Sequence, residues 1–117
     1  MSDLFFPDAG LDLEVIEADQ VSRKIRAKGG SLMMVEVFFE QGAVGAEHRH
    51  PNEQVCYCLS GEFVFTIEGD SRTLRAGDST YVPASVLHGA ECVAAGRLLD
   101  IFTPQREDFN KAYQENS

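Results

Sequence analysis

Tryptophan is absent from this chain, histidine and cysteine occur three times each, and ten basic residues face nineteen acidic ones. Each shortage excludes something. The net charge of −9 argues against nucleic acid and anionic membrane as partners, because both recruit basic patches. No apolar run approaches the ~20 residues that a membrane-spanning helix needs. The first residues are acidic and lack a basic-then-apolar secretion signal, so a cytoplasmic protein is expected. An odd cysteine count gives no disulfide framework. Cys56, Cys58 and Cys92 read either as small buried hydrophobes or as thiols lining a pocket.

What is present suffices for a core. Eight phenylalanines and a 44% hydrophobic content supply large apolar area, and a chain of 117 residues fits one domain, 1–117. Short alternating segments recur between Gly, Asp, Ser and Pro signals, as in an all-β sandwich or barrel. Strands are expected at Leu13–Ala18, Val21–Ala27, Leu32–Phe39, Glu53–Leu59, Glu62–Glu68, Arg72–Arg75, Thr80–Val82, Val86–Val93 and Arg97–Phe102. Ser60-Gly61-Glu62 and Ala95-Gly96 are expected to be turns, and Gly42–Gly45 a flexible approach. Phe63, Phe65 and Ile67 share one strand face and are expected in the core or in dimer packing. One helix is expected, Gln105–Tyr113, with Thr103 as its cap and Pro104 as its first residue.

All three histidines fall in one pattern. Gly42 precedes His48 by six residues, His50 follows at i+2, Gln54 four later and Gly61 seven after that; a second block runs Gly77, Pro83, Ser85, His88. An i, i+2 pair on a strand puts both imidazoles on one face. A third imidazole and one side-chain oxygen complete a first-row metal site with open positions. By the same alternation Cys56 and Cys58 face the Gln54 side, and Arg49 and Glu53 face outward.

These two blocks, in this order and spacing, resemble the two signature motifs of the cupin superfamily across roughly residues 30–105. Gln54 stands where the first motif normally has Glu, and Ser85 where the second normally has Gly. The resemblance implies a small cupin jelly-roll β-barrel with a metal inside its wider mouth. It also implies a homodimer, with the strands of 13–27 as the candidate interface. A narrower resemblance lies in HRHPNEQVCYCLSGEFVFTIEG and LLDIFTPQREDF, which look like the KdgF-type cupins of pectin and alginate breakdown. That family carries Gln as its fourth ligand, and an Asp-x-Phe with a nearby Arg, matched here by Asp100, Phe102 and Arg106.

The implied ligand set is His48, His50, Gln54 and His88, holding one divalent transition metal such as Ni, Fe, Mn or Zn. Neutral donors leave a formal +2 at the site, which favours a small anionic sugar acid. The implied reaction opens the ring of 4,5-unsaturated uronate monosaccharides to 5-keto-4-deoxyuronate. In that scheme Asp100 is the general acid/base, Arg106 pairs with a carboxylate and Phe102 walls the sugar. Each residue also has a plainer reading. Gln54 fits a core amide, Asp100 a mouth carboxylate or a histidine's hydrogen-bond partner, and Arg106 a salt-bridged surface group. A metal-dependent dioxygenase and a non-catalytic sugar- or small-molecule-binding cupin are the competing functions; the absence of a carboxylate ligand disfavours the dioxygenase.

Overall fold

The structure, a computed structural model, describes residues 4–17 and 20–110. Its strands are β1 (Glu14–Glu17), β2 (Val21–Gly29), β3 (Leu32–Phe39), β4 (Val44–His48), β5 (Glu53–Ile67), β6 (Asp70–Arg75), β7 (Ser79–Val82) and β8 (His88–Thr103). Every pairing is antiparallel.

Two long strands organise the rest. The first half of β5 pairs with β7 and with the second half of β8, which in turn pairs with β3. The second half of β5 pairs with β6 and with the first half of β8, which also pairs with β4. Each long strand therefore runs through both faces of a jelly roll. One face is β1-β2-β3-β8-β5-β7, the other β4-β8-β5-β6. This is the all-β jelly roll that the resemblance implied, with the sheet left unclosed.

The expected turns at 60–62 and 95–96 are corrected. Both segments stay in strand, and the register slips between Cys58 and Phe63 instead. Gly61 adopts φ 83°, and a Cβ there would stand 2.5 Å from the Ala94 carbonyl oxygen; a Cβ on Gly96 would overlap the Ser60 backbone. The glycines serve a bulged bend where two strands touch, which is the other use of glycine within a strand. The approach at 42–45 is likewise shorter than expected, since β4 begins at Val44.

Between the faces lies an apolar cluster that includes Phe39, Cys56, Cys58, Phe63, Phe65, Leu74, Cys92 and Leu98. A second cluster joins Met33, Val35, Phe102 and Phe109. Residues 54, 56 and 58 alternate inward, as the period of two requires, while Glu53, Val55 and Tyr57 face out. The cysteines are free and buried.

The helix begins later than expected. Thr103 ends β8, held by its pairing with Glu53, and the Asn52 amide donates to the carbonyls of Pro104 and Gln105 at 2.7 and 3.2 Å. Those contacts keep 103–105 out of the helix, so helical structure covers 107–110, with the Arg106 carbonyl accepting from the Asn110 N–H. The remainder of the expected helix, like Ala18 of the first expected strand, lies outside the described residues. Among the described residues no helix is long and apolar enough to cross a membrane.

Candidate functional site

His48 closes β4 and His88 opens β8, and the two are direct cross-strand partners. His50 lies in the loop between β4 and β5, and Gln54 is the second residue of β5. The expected strand pair is thus met differently. Only His48 is on a strand, and the loop brings His50 back, anchored by the Ser85 N–H donating to the His50 carbonyl at 2.8 Å. Ser85 holds φ 63°, a left-handed conformation that explains why glycine is usual at this point of the motif. The donors come from both faces of the jelly roll and the loop that joins them: His48 and His88 from one face, Gln54 from the other, His50 from the loop between β4 and β5.

The three rings converge, with centroid separations of 4.5, 4.8 and 5.4 Å. Each has Nδ1 against a backbone carbonyl: His48 against Ala46 at 3.0 Å, His50 against Asn52 at 3.0 Å, His88 against Val86 at 2.8 Å. A carbonyl only accepts, so each Nδ1 carries the proton and each Nε2 presents a lone pair. His88 Nε2 is buried without a partner. His50 Nε2 lies 3.1 Å from Gln54 Oε1, so two acceptors share one small space. Buried lone pairs facing one another are costly, and a cation between them removes the cost. One donor atom from each histidine lies within 4.8 Å of the others, so these residues fit a divalent metal.

Protonation does not compete strongly for the site. Burial, helped by the charge of Arg106 and by His88, lowers the His50 pKa to about 4. Burial also lowers His88, against the pull of the Val86 carbonyl. Both imidazoles are therefore neutral ligands near neutral pH.

A cavity of about 340 Å³ opens beside the histidines and reaches Gln54, Asp100, Phe102, Arg106 and Arg23. Asp100 is the cross-strand partner of Cys56, and its Oδ1 is buried with no hydrogen-bond partner. Desolvation raises its pKa to about 6, opposed by the Cys56 thiol, the Gln54 amide and the Arg106 charge. The Cys56 thiol itself is pushed well up by burial and by the neighbouring Asp100 carboxylate, so it stays protonated. Phe102 is 2% exposed and meets the His50 ring edge-on at 5.6 Å. Arg106 is buried and stacks on Phe109 at 4.1 Å. Its Nε and Nη2 already hold the Asp108 carboxylate at 3.0 and 2.7 Å.

Sequence reading missed two residues. Asn52 supplies the carbonyl that orients His50 and the amide that holds 104–105. Arg23 lines the cavity from β2, between Val21 and Ile25, which both pack into the core. A charge interrupting an apolar period-two face was the available signal for it.

Comparison with known proteins follows the same lines. The cupin domain family matches residues 35–102. The pectin degradation protein KdgF of Dickeya dadantii is 39% identical over 93 residues, which covers 78% of this chain and 84% of that protein. Among solved structures, an RmlC-like cupin from Shewanella frigidimarina superposes with a TM-score of 0.87 at 39% identity, covering 92% of this chain and 96% of that one. KdgF from Halomonas sp. superposes with a TM-score of 0.85 at 34% identity, covering 92% and 99%.

Proposed function

The chain belongs to the cupin family and is similar to its KdgF members, and from that premise we propose that it opens the ring of 4,5-unsaturated uronate monosaccharides. The observation that carries the reading is a cluster of three converging imidazole donors beside a cavity walled in part by Asp100, one of whose carboxyl oxygens is buried without a partner. His48, His50, His88 and Gln54 would hold the divalent metal, which supplies a Lewis acid for the oxygens of an anionic sugar. The neutral donor set leaves that charge to attract an anionic substrate.

The reaction is an isomerisation. The C1 hydroxyl loses its proton, the C1–ring oxygen bond breaks as the C1 carbonyl forms, and the ring oxygen remains on C5 as an enolate. Protonation at C4 then gives the 5-ketone. One group of pKa near neutrality can take the first proton and return the last, and Asp100, raised to about 6, has that property. Phe102 forms an apolar wall that excludes water from the enolate. Arg106, with Nη1 left over from its Asp108 pair, adds positive charge beside Asp100.

Loss of the ultraviolet absorbance of the unsaturated uronate tests the reading directly, because the conjugated double bond disappears on conversion. Acceleration above the spontaneous rate, absent from a His48→Ala/His50→Ala control, is expected. Fully metallated protein that does not accelerate the loss would exclude ring opening. The same reading includes a homodimer, formed through β2 and through β1, which lies at a sheet edge; sedimentation at several concentrations tests it.

A further inference from the structure

Arg23 is a basic cavity group that the scheme above leaves unused. Its side chain is 15% exposed. Its Nε donates to Glu14 Oε1 at 2.7 Å, and its guanidinium lies 3.5 Å from the centre of the Phe109 ring. Among the described residues, nothing hydrogen-bonds Nη1 or Nη2. A largely buried guanidinium using one donor of five is an unusual expense unless a ligand takes the rest.

Arg23 and Arg106 meet the same Phe109 ring, yet they differ in what they can still bind. A carboxylate is recognised best by two parallel N–H groups. Arg106 has spent such a pair on Asp108. Arg23 has spent only Nε, so its Nη1/Nη2 end remains complete, and stacking on Phe109 holds its plane in place.

We infer that Arg23 is a substrate-binding residue that receives the uronate carboxylate end-on, and that it makes the cavity select acidic over neutral sugars. This rests on the uronate reading for the identity of the anion. The plainer alternative is a brace, in which the Glu14–Arg23 pair only ties β1 to β2.

The metal-loaded full chain decides between them. Steady-state kinetics on the unsaturated uronate are measured for Arg23→Gln, Arg23→Lys and Glu14→Gln, with calorimetric titration of D-galacturonate and D-galactose as unreactive probes. Arg23→Gln is expected to raise KM at least tenfold with kcat within threefold, and to weaken galacturonate by a similar factor without changing galactose. Arg23→Lys should recover part of the loss, and Glu14→Gln should stay near the wild type. Wild-type KM and galacturonate affinity in Arg23→Gln overturn the inference. So does a Glu14→Gln variant that reproduces the Arg23→Gln loss, since that is the brace. Should the wild type bind galacturonate through Arg23 but not turn the uronate over, the ring-opening reading fails and the anion site stands.

Discussion

The mouth and the bend of this jelly roll are built from the same two strands to opposite ends. At the bend, β5 and β8 turn Cys58, Phe63, Cys92 and Leu98 inward, and the polar atoms there find backbone partners, as when the Cys92 thiol donates to the Ala94 carbonyl at 3.2 Å. At the mouth the same strands, with β4 and its loop, bury two of the three imidazoles, an amide and a carboxyl oxygen, and two polar atoms are left without partners. The bend is satisfied as it stands. The mouth is satisfied only when a ligand arrives. Stability is concentrated at one end and chemical demand at the other.

The contrast is broken most severely by removing a ligand. His88→Ala should cut bound metal to background, measured by elemental analysis, and take turnover with it. Asp100→Asn comes next: metal stays bound, and turnover falls by at least ~10²-fold, the usual worth of a positioned acid/base. Full metal occupancy with near-normal turnover would remove Asp100 from the mechanism.

The same variant alters the pH dependence of the metal-free protein. The folded pKa of His50 is about 4 against 6.5 in the free side chain. The unfolded chain therefore binds more protons between those values, and stability is lost as pH falls through them. Asp100 is opposite in sign: its folded pKa of about 6 lies above the 3.8 of the free side chain, so the folded state binds the extra proton and gains stability over the same fall. The two offset each other in the wild type. Asp100→Asn removes one side, and its denaturation midpoint should drop more steeply than the wild type's between pH 6.5 and pH 4.

At the bend the effect moves from chemistry to stability. Phe63→Ala, at a fully buried ring, should cost about 3–5 kcal/mol in denaturant melts. Metal stoichiometry at saturation should be unchanged. The smallest effect is expected at Ser85→Gly. It relieves the φ of 63° and should stabilise by about 1 kcal/mol or less, once glycine's extra backbone freedom is subtracted.

Much of this was legible in the chain. Leu32–Phe39 is β3 to the residue, and the alternation through Gln54, Cys56 and Cys58 puts all three inward. The histidine spacing located the mouth. Glycine misled at 61 and 96, because a turn and a bulge ask for the same conformational freedom, and only a neighbouring strand decides between them. The helix start misled because Thr103 and Pro104 have good local helix-entry chemistry, overridden by a strand pairing and by an amide fifty residues away. Arg23 left only a single signal, a charge within an apolar period-two face, because its partners, Glu14 and Phe109, stand on either side of it in sequence and meet only in the fold.

The crossing of β5 and β8 has one more consequence. His48 and His88 ride on one arm and Gln54 on the other, with His50 on the loop between them, and both arms are hinged where Gly61 meets Gly96. The molecule is a pair of forceps, with the donor atoms as its tips and the glycine contact as its pivot. A side chain added at the pivot touches no ligand, yet it would change the gape of the tips. The spacing of those tips is then partly set at the far end of the jelly roll, by a contact too close to admit a methyl group.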